Sequence, residues 1–340
     1  MVKVIHDLFI LTFGKLTGQV SRQSAWRFFD TINSMEQNSL TSTYRTGFVA
    51  IIGRPNVGKS TLVNAFLGQK IAAVTPRPQT TRKRQLGILT FQRGEADIQV
   101  IFIDTPGIHQ PRHKLGEHMN KEAAETLQES DLILWMVDAS QEPQSDDQLT
   151  AILLTALKKR PPMILALNKI DLVDPDTRQE RAAQFSAWLP QAQLALISAT
   201  QGEGMPDLLD WIVTHLHEGP PHYPEDQLTD LYEREIAADL IREASLKILR
   251  DEVPHGIAIR IDQFTEREDQ GAYIEATLFV EKESHKGIVI GQGGQMLKKI
   301  GTAARQEIEA MSGRTVFLNI RVKVRKDWRD NEKVLSGFGY

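Results

Sequence analysis

The chain has 340 residues, 41% of them hydrophobic, no cysteine, and a formal net charge of −4. That length supports about two domains with substantial cores. The absence of Cys excludes disulfides and thiolate chemistry and agrees with a reducing cytoplasm, and the near-balanced charge means that any basic surface has to be local.

No run approaches the roughly 18 apolar residues of a membrane span. Near the start, Leu8–Phe13 is broken by Thr12, follows a single Lys and leads to no small-residue cleavage site, which argues against a secretory signal. Residues 1–45 turn rich in Ser, Thr, Gln and Asn and carry no strand pattern before Gly47. Apart from a mildly amphipathic stretch over Val2–Phe13, they read as a disordered or dispensable extension, with Met35 as the functional initiator. A membrane-touching role is the lesser alternative.

From Phe48 to Leu216 short apolar runs alternate with amphipathic stretches. Strands are expected at Phe48–Ile52, Gln85–Phe91, Ile98–Ile103, Leu132–Asp138, Met163–Asn168 and Gln193–Ser198. Helices are expected at Thr61–Leu67, Gly116–Glu129, Ser145–Leu157, Thr177–Trp188 and Met205–His217. This alternation predicts a doubly wound, mostly parallel α/β sheet, whose ligands sit beyond the carboxyl ends of the strands.

The first strand leads into Gly53-Arg54-Pro55-Asn56-Val57-Gly58-Lys59-Ser60 and then Thr61. Strand, glycine loop and helix in that order form a Walker A phosphate cradle. Its glycines let backbone N–H groups face phosphate oxygens, Lys59 brings a mobile cation, and the Ser60 hydroxyl suits Mg²⁺. Asp104-Thr105-Pro106-Gly107 follows the third strand; an Asp there can hold Mg²⁺ through a water, and the Gly107 N–H can sense a γ-phosphate. Alone, the motif also fits a turn after a strand.

Asn168-Lys169-Ile170-Asp171 closes the strand Met163–Leu167. A carboxylate at Asp171 can accept from N1–H and the exocyclic amine of guanine, a donor pair that adenine lacks. Lys169 would lay its stem along the base, and Ser198-Ala199 would offer a backbone N–H to guanine O6. Singly these are surface turns. Together, in this order and each at a strand end, the four motifs resemble the G domain of translation-factor-related GTPases.

That resemblance makes Pro76–Arg82 switch I, with Thr81 at Mg²⁺ and the γ-phosphate and Thr80 held in reserve. Switch II runs from Asp104 to about Leu115. Where small Ras-like GTPases carry a water-orienting Gln, this chain has Ile108, so intrinsic hydrolysis is expected to be slow, about 10⁻⁴ to 10⁻² s⁻¹. In some relatives an Asn at the place of Asn56 helps hold K⁺ where an arginine finger would put its charge; bracing of the loop is the alternative. His109 is a candidate base or, more simply, an exposed loop histidine.

Glu218-Gly-Pro-Pro-His-Tyr-Pro-Glu-Asp226 punctuates the chain and reads as a linker, residues 219–227, between a domain at 46–218 and another at 228–340. Beyond it the order becomes a long helix (Leu228–Arg250), strands Gly256–Phe264 and Ala272–Glu281, two helices around Gly291-Gln292-Gly293-Gly294, and a strand Thr315–Val324: a smaller α+β domain. Lys282 to Lys326 holds ten basic residues, among them Lys286, Lys298 and Lys299, against three acidic ones. A Gly-x-x-Gly loop in such surroundings can clamp about four nucleotides of a single strand. A helix–helix turn beside a solvated basic face is the plainer reading. The element order is that of a type II KH domain.

A P-loop G domain, this linker and a type II KH domain resemble the bacterial Era family over about residues 46–340. The resemblance includes Gln79-Thr-Thr-Arg82, Val289-Ile-Gly291 and the terminal Gly-Phe-Gly-Tyr340. It implies a monomeric GTPase that uses GTP/GDP and Mg²⁺. It also implies binding to the 3′ region of 16S rRNA, help in assembling the 30S subunit, and a place in the cytoplasm with peripheral membrane association. An RNA-binding protein that keeps GTP as a structural ligand is the alternative, as is another ribosome- or tRNA-related GTPase. A single Walker motif speaks against the tandem-G type. The lack of a C-terminal Cys speaks against the tRNA-modifying type.

Overall fold

The computed structural model describes residues 44–75, 77–266 and 271–340. The proposed extension lies outside them, except that Tyr44 and Arg45 already belong to the first strand.

The first domain consists of β1 (Tyr44–Ile52), α1 (Lys59–Leu67), β2 (Gln85–Arg93), β3 (Ala96–Asp104), α2 (Lys114–Glu129), β4 (Leu132–Asp138) and α3 (Ser145–Thr155). It continues with β5 (Met163–Asn168), α4 (Pro175–Ser186), β6 (Gln193–Leu196), α5 (Met205–His215) and the two-residue β7 (His217–Glu218). The sheet runs β2-β3-β1-β4-β5-β6, with β7 on β1. Neighbours from β3 to β6 are parallel, whereas β2 and β7 are antiparallel to their partners. One face packs on α1 and α5 through Leu62, Val63, Leu208 and Ile212. The other packs on α2, α3 and α4 through Ala123, Leu127, Leu154 and Phe185. Burial on both faces is why β4 reads Leu-Ile-Leu-Trp-Met-Val without alternation.

The proline-rich segment 219–227 lies against the first domain. Gln99 Oε1 accepts from the His222 and Tyr223 N–H groups, and Gln99 Nε2 donates to the Tyr223 carbonyl at 2.8 Å. Next, Leu228 O accepts from Ile88 N at 2.8 Å, and Asp230 accepts from Leu86 N. These bonds cover the free edge of β2. They also correct one expectation: the helix expected from Leu228 starts only at Glu233, because the preceding residues are drawn out along that edge.

The second domain consists of α6 (Glu233–Ile248), β8 (Ala258–Glu266), β9 (Gly271–Val280), α7 (Glu283–Ile290), α8 (Gln295–Ser312), β10 (Thr315–Val324) and α9 (Glu332–Gly337). Its sheet order is β10-β9-β8, with β10 parallel and β8 antiparallel to β9. Leu240, Ile241 and Ala244 of α6, Ile300 and Ile308 of α8, and the inward row of β9 make its core. Between the domains lies a further apolar cluster. Leu115 and Met119 of α2 meet Phe279, Trp328 and Leu335, and Trp328 is fully buried with its indole N–H on the Gly256 carbonyl at 2.9 Å.

Candidate functional site

The loop between β1 and α1 turns because Gly58 adopts φ +107°, and a Cβ there would lie 2.4 Å from Asn168 Nδ2. Gly107 is equally constrained: its Cβ would sit 2.6 Å from the Pro55 nitrogen, so the 53–60 loop and the 104–107 loop touch backbone to backbone. Arg54 points away from the loop's mouth. Its Nε donates to the buried Asp147 carboxylate at 3.0 Å and Nη2 to Gln141. Thr105 Oγ1 likewise braces, donating to Ile51 O at 2.7 Å. Lys59 is buried, with Nζ 3.1 Å from the Gly53 and Arg54 carbonyls. Burial holds its pKa down at about 8. A buried ammonium whose hydrogen bonds go to two backbone carbonyls is suited to an anion.

Three oxygens converge beside it. Asp104 Oδ2 accepts from Ser60 Oγ at 2.6 Å and Thr81 Oγ1 at 3.2 Å, and the two hydroxyls are 2.9 Å apart. Asp104 is wholly buried, burial raises its pKa, and its Oδ1 has no partner. An orphaned carboxylate oxygen among hydroxyls is a donor set suited to a hard cation such as Mg²⁺. Of the two adjacent threonines only Thr81 reaches this cluster; the Thr80 hydroxyl meets Thr75 and the Arg77 carbonyl.

Ile108 is fully buried in the sheet core, so no side chain at that position faces the phosphate end. His109 departs from both expectations. It is partly buried, its Nδ1–H donates to Gly107 O at 2.8 Å, and its Nε2 therefore accepts from Gln79 Nε2 at 3.0 Å. With both ring nitrogens engaged, it serves as a strut between the two switch segments.

Asn168 joins three loops. Its Nδ2 donates to Val57 O at 2.8 Å and its Oδ1 accepts from Ala199 N at 3.0 Å. The Ala199 N–H expected to face a base is thus directed at Asn168. Ser198 holds its own turn, accepting from Gln201 N. Lys169, at φ +65°, donates to Asn56 O at 2.9 Å and to the buried Asp138 carboxylate at 2.6 Å. Asp171 stands exposed in a short 3₁₀ turn, Ile170–Leu172. A cleft of about 360 Å³ is lined by Asn56, Lys59, Ser60, Thr81, Gly107 and Lys169, among others. Asp171, Ser198 and Ala199 lie outside its walls, beside it at the ends of β5 and β6. Sequence reasoning missed the struts Asp138, Asp147 and Gln141, which carry no motif.

In the second domain the Gly291–Gly294 loop sits between α7 and α8, and Gly291, Gly293 and Gly294 all have positive φ. A second cleft, also about 360 Å³, opens between α8 and the edge strand β10. Leu297, Leu318 and Ile320 make it apolar, while Gly294, Lys298 and Arg305 rim it. Gln292, Lys286 and Lys299 are outside its walls. Leu297 of α8 and Leu318 and Ile320 of β10 were not singled out from sequence, and Arg305 only as one of the ten basic residues.

Two family models match: 50S ribosome-binding GTPase over residues 48–169 and KH domain over residues 252–329. GTPase Era of Heliobacterium modesticaldum is 45% identical over 87% of this chain and 97% of its own. That of Caldanaerobacter subterraneus is 48% identical over 87% and 98%. The chain belongs to the GTPase Era family. As an Era-family protein it is a GTPase followed by a KH domain. Among solved structures it is similar to Era in complex with MgGDPNP and nucleotides 1506–1542 of 16S ribosomal RNA. The TM-score is 0.82 and the identity 37%, with 87% of this chain and 99% of that one covered. It is similarly close to an Era variant from Aquifex aeolicus bound to GDP·AlF₄⁻, with a TM-score of 0.81, the same identity and the same coverage.

Proposed function

We propose that this Era-family GTPase binds GTP and GDP in the first cleft and the 3′ region of 16S rRNA in the second, and assists assembly of the 30S subunit. One observation carries the reading. A relative similar over 99% of its length holds MgGDPNP and a 16S rRNA segment together, and this chain has both a phosphate-type and a basic-rimmed apolar cleft.

In this reading the 53–60 loop and Lys59 cradle the phosphates. The base lies over Lys169 and is read by Asp171, with Asn168 and the Ser198-Ala199 turn fixing that end. Ser60, Thr81 and Asp104 would hold Mg²⁺, which would offset phosphate charge when bound. Gly107 N–H faces the γ-phosphate. Hydrolysis is slow, because the buried Ile108 has no polar group with which to orient water. Asn56 is the proposed K⁺ contact; exchange of K⁺ for Na⁺ should slow turnover, and unchanged rates would remove K⁺ from the mechanism.

The cleft between α8 and β10 suits unstacked bases on Leu297, Leu318 and Ile320, with phosphates near Lys298, Lys286, Lys299 and the glycine loop. GTP favours the RNA-competent state through the switch segments, which the second domain contacts directly. The test is affinity for an oligonucleotide matching the 16S 3′ end with a GTP analogue against GDP. Tighter binding with the analogue supports a nucleotide-controlled switch; equal binding leaves two independent modules.

We further place the protein in the cytoplasm as a monomer, peripherally associated with the membrane's inner face, on family membership alone. Among the described residues no helix is long and apolar enough to cross a membrane. Size-exclusion chromatography and cell fractionation test these assignments.

A further inference from the structure

Switch I is gripped from the second domain on both sides of Thr81. Arg242, on α6, is 4% exposed. Its guanidinium donates to the Gln79 carbonyl at 3.2 Å through Nη1 and to the Thr80 carbonyl through Nη2. Asp239, one turn earlier, pairs with Arg242 at 2.8 Å and accepts from Gln85 Nε2 at 2.5 Å. Gln85 opens β2 directly opposite Asp104. Arg77 and Arg82 reach the same domain, donating to the Leu249 and Ile257 carbonyls at 2.6 and 2.8 Å. Gln79 has φ +62°, a left-handed conformation that a free loop has no reason to hold.

Thr81 is the residue between these anchors that turns the other way. Its hydroxyl faces Ser60 and Asp104, while the carbonyls of Gln79 and Thr80 face Arg242. Fixing two successive carbonyls with one planar fork fixes the peptide planes, and the rotation of the next residue follows. A lysine has the charge but not the fork.

We propose that Arg242 is a positioning residue for GTP hydrolysis, holding switch I from the second domain so that Thr81 faces the cation site. The proposal rests on the reading of Thr81 as a Mg²⁺ and γ-phosphate contact. Arg242 itself touches neither Ser60 nor Asp104. Its effect passes through Thr81, and only with the second domain seated on the first.

The experiment uses the full chain and compares R242K, R242Q, T81A and the R242Q/T81A pair in single-turnover GTP hydrolysis across a Mg²⁺ titration. Both Arg242 variants should slow hydrolysis about tenfold or more and raise the Mg²⁺ needed for half-maximal rate. GDP affinity should stay within about twofold, and R242Q should add nothing in the T81A background. R242K retains charge and stem, so it reports on the fork even if R242Q fails to fold. A slow T81A beside a normal R242K overturns the role of Arg242 and leaves the Thr81 reading intact. Additive losses in the pair also overturn it, since Arg242 would then act elsewhere. A T81A of normal rate and Mg²⁺ dependence overturns the Thr81 reading, and the proposal with it.

Discussion

Asn168 fastens the Val57 carbonyl at 2.8 Å through its amide nitrogen, so the loop that closes β5 and the loop that opens α1 behave as one rigid body. Its oxygen binds the Ala199 N–H, adding a third loop. Replacement by Ala leaves a buried carbonyl and a buried N–H without partners, at about 1–3 kcal/mol each. Asn168→Ala should therefore weaken GDP binding about tenfold or more, chiefly through faster release. Stopped-flow displacement of a fluorescent GDP gives the rate, and unchanged release would show that other contacts suffice.

Asp171 is exposed and sits in a short turn, so changing it should perturb recognition with little effect on folding. Asp171→Asn replaces a double acceptor with one acceptor and one donor, which mismatches guanine and matches xanthine. Competition should shift from GTP toward xanthosine triphosphate with a melting temperature close to that of the parent. Full guanine selectivity in the variant would remove Asp171 from base reading.

Burial pushes the pKa of the Lys59 ammonium down to about 8. Phosphates bind only the charged form and raise its pKa, so below pH 8 the lysine is already protonated and binding needs no proton. Above pH 8 binding must take up a proton. GDP affinity measured in EDTA should hold up to about pH 7.5, once the terminal phosphate of GDP is fully ionised, and fall toward tenfold per unit above pH 8. Readings belong below the pH at which guanine loses its own N1 proton. A flat profile to pH 9 would mean that Lys59 is charged throughout.

Gly293 is the right glycine for testing the loop beside the second cleft. A Cβ there meets nothing within 4 Å, whereas one at Gly291 would press on Met296 at 2.7 Å. Asp at Gly293 carries a left-handed strain of about 1 kcal/mol and places negative charge where phosphates are proposed. Gly293→Asp should weaken the 16S oligonucleotide and leave GTP affinity intact. Equal loss of both would indicate misfolding.

Patterns confined to a few neighbouring residues were decided by the sequence itself. The buried strands Leu132–Asp138 and Met163–Asn168 run to the expected residues because continuous apolar runs have no other stable home in an α/β sheet. The Walker loop, Asp104–Gly107 and Asn168–Asp171 were legible because each is a local chemistry at a strand end. Tertiary structure decided what depends on distant partners. His217, expected to end a helix, and Glu218, expected to open the linker stretch, instead pair with Thr46 and Arg45. The Asp138 carboxylate that anchors Lys169 comes from a neighbouring strand, and Arg242 reaches switch I across more than 160 residues of chain. Thr81 was placed at the cation site by the resemblance, with Thr80 in reserve, and the structure turns the Thr81 hydroxyl to Ser60 and Asp104 and the Thr80 hydroxyl to Thr75 and the Arg77 carbonyl. The two hydroxyls are chemically alike, and the proposed grip of Arg242 on the Gln79 and Thr80 carbonyls, made from more than 160 residues away, is what would turn one inward and the other away.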